Sequence, residues 1–138
     1  MELKKYNYLN NDAITIRKTV FVDEQKFSDE FDDIDKIATH FVMYDHDEYV
    51  ATCRVFKSDE SKIYILGRLA VIKKYRGQNI GKVMLKEAEK YVKEMGGEYI
   101  KLHAQCRAIG FYNACGYTKY GEIEDDQGCP HIWMKKKL

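Results

Sequence analysis

The segment from Ile63 to Met95 constrains the fold more than any other part of the chain. The strand-forming run IYILGRLAVI, Ile63 to Ile72, leads into a basic, glycine-containing loop, Lys73 to Gly81. The loop opens directly into the best helix of the sequence. Ile80, Met84, Ala88, Tyr91 and Met95 recur at i, i+4 and i+3 intervals, and Val83, Leu85 and Val92 widen the stripe. Lys82, Lys86, Glu89, Lys90 and Lys93 lie largely outside it. Gly96-Gly97 then supplies the left-handed residue on which helices commonly end. A strand, a loop and a one-sided helix in this order predict a sheet flanked by helices.

The rest of the chain extends the pattern. Asn11 and Asp12 are cap-type residues ahead of Ile14, Ile16, Val20 and Phe21, which predicts a first helix. Thr39–Tyr44, Tyr49–Phe56 and Ile63–Ile72 read as three strands joined by short polar turns, an antiparallel meander. Tyr99–His103 is a further strand and Arg107–Ala114 a short helix closed by Gly116. Tyr117–Glu122 and His131–Lys137 read as two last strands. No internal repeat or linker divides the 138 residues, so a single domain over 1–138 is expected. A chain of this length buries roughly two-thirds of its unfolded surface, enough for a core without disulfides or metal.

Composition removes several function classes. Lys plus Arg is 23 and Asp plus Glu is 22, so the basic excess that general nucleic-acid binding requires is missing. No run approaches the ~18 apolar residues of a membrane span, and residues 1–10 do not resemble a signal peptide. The cysteines at 53, 106, 115 and 129 contain no C-x-x-C, so a zinc ribbon or a thioredoxin-like motif is not expected. These features together predict a reduced, cytoplasmic protein with no metal, no nucleic-acid partner and no membrane partner, either a monomer or a homodimer.

The loop carries the chemistry. A strand, a glycine-bearing turn and a helix start aim backbone N–H groups and the positive end of the helix dipole at one place, which suits a pyrophosphate. Gly77 and Gly81 would allow close approach to the backbone, and Asn79 tolerates the left-handed region. A Walker loop is excluded because Gly77 to Gly81 is one residue short and Val83 stands where Ser or Thr should be. No G-x-G-x-x-G exists. Taken alone, the glycines also fit a plain tight turn.

Arg76-Gly77-Gln78-Asn79-Ile80-Gly81 resembles the acyl-CoA pyrophosphate loop of the GNAT superfamily of N-acetyltransferases, R/Q-x-x-G-x-G/A, with Asn79 in place of the first Gly. A second segment, Ala108-Ile109-Gly110-Phe111-Tyr112-Asn113-Ala114-Cys115-Gly116-Tyr117, resembles the family's A-x-x-F-Y-x-x-x-G-F/Y. Val20 to Gln25, Asp32 to Asp35, Ala38 to His40 and Asp126 to His131 are similar to a branch of small bacterial GNAT proteins. The resemblance implies a mixed α/β fold: a mostly antiparallel sheet of about six to seven strands flanked by helices, with acyl-CoA bound where two parallel strands splay. It implies acetyl-CoA as co-substrate, with Leu69, Ala70 and Val71 pairing with the pantetheine arm. Arg76, Gly77, Gln78, Asn79, Ile80, Gly81 and Lys82 would hold the pyrophosphate. It assigns Tyr112 as the acid that protonates the departing thiolate.

The base is open between several groups. His40 and His131 sit on expected strands and are the first candidates, with Glu24 and Glu30 as rivals. His103 or Gln105 would face the cofactor, and Cys106 and Cys115 fall near the cofactor-side helix. Asp23 to Asp35 holds seven carboxylates against Lys26 and reads either as a solvated loop or as the lining of a site for a cationic acceptor. The expected reaction is acetyl transfer to a primary amine in a ternary complex. The acceptor is a small-molecule amine, or a lysine or N-terminal amine of a protein. The competing expectation is a non-catalytic CoA-binding module.

Overall fold

The computed structural model describes residues 1–138. Seven strands form one sheet, and every neighbouring pair is antiparallel except one. The strands are β1 (Glu2–Tyr6), β2 (Thr39–Asp45), β3 (Glu48–Lys57), β4 (Ile63–Val71), β5 (Tyr99–Gln105), β6 (Thr118–Asp126) and β7 (Cys129–Lys137). Their spatial order is β1-β2-β3-β4-β5-β7-β6. The helices are α1 (Asn11–Arg17), continued by π-helical turns over Lys18–Glu24, then α2 (Ile80–Glu94) and α3 (Ile109–Ala114). This is the mixed, mostly antiparallel sheet expected from the sequence.

Strand β1 is absent from the sequence reading. Its ELKKY carries three charges, and it pairs with β2 at the sheet edge, where lysines deter further strand pairing. Helix α1 is capped one residue earlier than expected, by Asn10, whose side chain accepts from the Ala13 N–H at 3.0 Å. Strands β6 and β7 run further toward their shared turn than the pattern suggests, because an irregular register between Tyr120 and Glu124 interrupts the alternation.

The two faces of the sheet carry separate cores. Ile80, Met84, Leu85, Ala88 and Val92 of α2 pack on one face with Phe41, Val55, Leu66 and Ile100. On the other face Ala13, Ile16, Val20 and Phe21 pack on Val42, Tyr44 and Ala70. Val83 and Met95 do not widen the buried face of α2; both are exposed. Gly96 (φ 86°) ends α2, and the Gly97 N–H returns to the Val92 carbonyl at 2.8 Å.

Two features of β4 create the site. First, Thr52 pairs with Ala70 but Arg54 pairs with Gly67, so Arg68 and Leu69 both stand opposite Cys53. This bulge puts Arg68 at φ 54°, a left-handed conformation costly for a side chain of that size. Its guanidinium, 2.9 Å from Glu30 and 3.3 Å from Asp32, holds it there. Second, β4 and β5 are parallel and pair only at Ile63–Ile65 with Tyr99–Lys101. Beyond that point β4 runs on to Val71 and β5 to Gln105 without pairing, so the two strands splay.

Candidate active site

The cleft between the splayed strands is lined by Leu69, Ala70 and Val71 on one side and by the start of α2 on another. Gly77 has φ 80° with nothing within 4 Å of where a Cβ would stand, and Asn79 has φ 62°. The Asn79 side chain makes no capping bond, and the helical ladder begins with Val83 N–H donating to Asn79 at 3.1 Å. The first turn of α2 therefore presents free N–H groups to the cleft, a ready anion site. The cleft measures about 650 Å³. These features fit a bound pyrophosphate with an extended arm.

Of the residues expected to hold the cofactor, Arg76, Gly77, Asn79, Ile80, Gly81 and Lys82 line this cleft, as do Leu69, Ala70 and Val71. Gln78 does not line it. Arg76 is fixed: its Nε donates to the Val71 carbonyl at 2.9 Å and its Nη2 lies 2.9 Å from Glu24. Glu24 is thus a structural partner of the loop. A Cβ on Gly81 would stand 3.2 Å from Cζ of Phe111, so this glycine admits α3 rather than merely clearing space for phosphate. Tyr75 anchors the loop's base through its hydroxyl, which donates to Glu48.

A second, smaller cleft of about 220 Å³ opens on the other side of β4. Gln25, Leu69, Arg107, Ala108 and Tyr112 line both clefts, so the two meet at Tyr112. The Tyr112 hydroxyl makes no hydrogen bond within the protein. Burial, with smaller contributions from Cys53 and Cys115, pushes its pKa well above the ordinary phenol range. It is a proton donor at every ordinary pH.

His131 lies in the small cleft, 7% exposed. Its Nδ1 is 2.8 Å from the Cys129 carbonyl, which can only accept, so Nδ1 carries the proton and Nε2 is left with a free lone pair. His103 packs beside it, ring centroids 4.9 Å apart, and stacks on Trp133 at 4.8 Å. Burial and then the neighbouring His131 lower the pKa of His103. Gln105 donates to Gln25 at 2.8 Å, and both line the small cleft.

His40 is placed elsewhere. It is 1% exposed and its Nε2–H donates to the Asp35 carbonyl at 2.9 Å. Burial lowers its pKa and keeps it neutral. It sits on β2, four strands from His131 on β7, roughly 19 Å at the usual strand spacing of about 4.8 Å. The structure does not bring the two histidines together, and His40 lines neither cleft.

The acidic segment is largely consumed by arginines. Arg17 bonds Glu30 at 2.8 Å and Asp35 at 2.7 Å, and Arg54 bonds Asp32 at 2.6 Å and Asp35 at 2.9 Å. For Asp35 burial works upward, but the hydrogen bonds and charges of Arg17 and Arg54 overcome it and hold its pKa at about 2. Glu30, a rival base by sequence, has its carboxylate committed to Arg17 and Arg68. Of the segment's seven carboxylates only Asp29 and Glu30 line the small cleft.

Arg68, Arg107, Asp126 and Gln127 also line the small cleft, and the sequence reading gave none of them a role there. Nothing in their spacing marks them; the bulge, the β5–β7 register and the β6–β7 turn bring them together. All four cysteines are free thiols, and burial raises Cys53 to about 12. No three His, Cys, Asp or Glu side chains gather as a metal site, and no helix is long and apolar enough to cross a membrane.

The profile of the acetyltransferase (GNAT) domain matches residues 6–138. A Bacillus subtilis (strain 168) protein named as an acetyltransferase is 39% identical over 91% of this chain and 87% of its own length. ElaA of Escherichia coli (strain K12) is 30% identical over 91% of this chain and 85% of its own. The crystal structure of Escherichia coli ElaA superposes with a TM-score of 0.87 at 25% identity, covering 98% of both chains. A structure named as an N-acetyltransferase from Lactobacillus plantarum superposes with a TM-score of 0.91 at 29% identity, covering 99% of this chain and 97% of that one.

Proposed function

The chain belongs to the GNAT acetyltransferase family, and we propose that it transfers an acetyl group from acetyl-CoA to a primary amine by direct attack in a ternary complex. The observation that carries this reading is the meeting of two clefts at Tyr112, one suited to a pyrophosphate-bearing chain and the other holding a histidine with a free lone pair. Acetyl-CoA supplies the acyl group as a thioester.

This chain's residues do the rest. The free N–H groups at the start of α2 and the Gly77–Asn79 turn bind the pyrophosphate. Leu69 to Val71, released from β5 by the splay, offer backbone to the pantetheine arm in the manner of an added strand. An N–H of the same stretch polarises the thioester carbonyl. His131 Nε2 takes a proton from the attacking amine as the new C–N bond forms. As the C–S bond breaks, the Tyr112 hydroxyl gives its proton to the sulfur and is reprotonated from solvent.

The test is acetyl-CoA-dependent formation of N-acetyl product from primary amines, read by mass spectrometry beside the melting temperature. The expected result is a rise in Tm with acetyl-CoA, because it binds only the folded state, together with acetylated amine. A Tm rise without product across a broad set of amines would favour a non-catalytic CoA-binding module. No rise at millimolar CoA would remove the cofactor assignment.

A further inference from the structure

The small cleft beside Tyr112 also says what kind of amine it receives. Its outer wall is closed by a bridge between distant parts of the chain. The Gln127 Oε1, at the β6–β7 turn, accepts from Ser28 N–H at 2.8 Å, Ser28 Oγ at 3.0 Å and Asp29 N–H at 3.1 Å. Both Gln127 and Asp29 line the cleft. The cleft, about 220 Å³, lies below the roughly 300–1,000 Å³ usual for drug-sized ligands. The space and the bridge together favour a small free molecule over the lysine of a folded protein.

The charges on the wall say more. Glu30 and Arg68 face the cleft but are paired with each other at 2.9 Å, and each has a further partner. The charged groups left without an ion pair are Asp29, Asp126 and Arg107, two anions and one cation, all three on exposed side chains. Arg107 sits where the two clefts meet, on the 3-10 turn Cys106–Ala108 that leads into α3. It makes no hydrogen bond or ion pair with the protein. His131 Nε2, on a side chain more than nine-tenths buried, also lacks a hydrogen-bond partner, as do the Tyr112 hydroxyl and His103 Nε2 in the same cleft. The cleft therefore offers two anions and a lone pair to an amine, and one cation that an uncharged or purely cationic amine would leave to water.

We propose that the acceptor is a small free amine that also carries a carboxylate or equivalent anion, its amine received by Asp29, Asp126 and His131 and its anion read by Arg107. This inference rests on the acetyl-transfer reading above. Arg107 is a specificity residue here, and the free arginine is what separates this class from diamines and from peptide lysines.

The experiment uses the full chain, acetyl-CoA and matched acceptors: ω- and α-amino acids, their decarboxylated monoamines, diamines of equal length, and a lysine-containing peptide. N-acetyl product is quantified by mass spectrometry. The amino acids are expected to exceed their decarboxylated counterparts by about two- to five-fold in kcat/KM, as an exposed ion pair supplies. Arg107→Ala should bring that ratio to about one, and Arg107→Lys, which keeps the charge, should restore part of it. A better rate with the diamine or the peptide, or a ratio unchanged in Arg107→Ala, would overturn the inference while leaving acetyl transfer intact. Product from none of the amines, with the acetyl-CoA-induced Tm rise intact, would overturn transfer and the inference with it.

Discussion

In the proposed mechanism Tyr112 gives a proton and His131 takes one, roles that suit their different surroundings. The phenol is buried, without a protein hydrogen bond, and its pKa is pushed up, so it can only give a proton. The imidazole has one nitrogen committed to a carbonyl and the other free, so it can only take one. Tyr112→Phe removes the donor and keeps the ring that packs against Phe111 and Tyr117, at centroid distances of 5.1 and 6.0 Å. The expected loss is roughly 10²-fold in kcat with little change in KM for acetyl-CoA. CoA thiol titrates near the ordinary thiol value of ~8.5, and above that pH the thiolate departs without help. The defect should therefore shrink on going from pH 7 to pH 9.5. An equal defect at both values would rule out the acid role. Tyr112 was legible in the sequence through its segment. His131 was one of two histidines that the sequence could not separate, since both lie on strands, and only strand order places them four strands apart.

Helix α2 illustrates what periodicity reads well and what it misses. The apolar stripe predicted the helix and its stop at Gly96-Gly97, because i, i+3 and i+4 positions share a face whatever they pack on. It did not show that Gly81 lies under the Phe111 ring of α3, a contact between residues 30 apart. Gly81→Val should push Phe111 and the helix that carries Tyr112 outward, and the acetyl-CoA-induced Tm rise should vanish in a protein that still folds. The double variant Gly81→Val/Phe111→Ala separates two causes. Recovery of the Tm shift would mean that the damage passes through Phe111; continued loss would mean that the valine itself blocks the phosphate. The β4 bulge is the converse case. LGRLA reads as plain strand, yet Arg68 adopts φ 54° because Glu30 and Asp32, more than thirty residues upstream, hold its guanidinium.

At the scale of the whole molecule, the arginine–carboxylate layer fastens the 28–37 segment to the sheet and so builds one wall of the small cleft. Three arginines, 17, 54 and 68, face three carboxylates, 30, 32 and 35. Removing one of the buried partners, Arg17, Arg54, Glu30 or Asp35, leaves a buried charge short of a counter-charge and costs about 3–5 kcal/mol. The pH dependence follows from Asp35. Its pKa falls from 3.8 to about 2 on folding, so its contribution to stability is complete above 3.8 and disappears as pH drops through about 2. Denaturant titrations from pH 5 to pH 2 should show wild type losing stability over that window, and Asp35→Asn, weaker at pH 5, should show a flatter dependence. Parallel slopes for the two proteins would mean that Asp35 is not the group responsible. The acidity of this segment stood out in the sequence, but its purpose did not, because composition counts carboxylates without saying which arginines reach them. By itself the sequence determined the helix–strand alternation, the glycine-bearing loop at the start of α2 and the short helix around Tyr112, since each is written in residues close along the chain. The tertiary structure alone decided that His131 and not His40 lines the small cleft, that the acidic run is mostly spent on arginines, and that Arg107, Asp126 and Gln127 line the same cleft. Those facts depend on strand order, a bulge and a hairpin register, which couple residues up to 99 positions apart and leave no local periodicity to read.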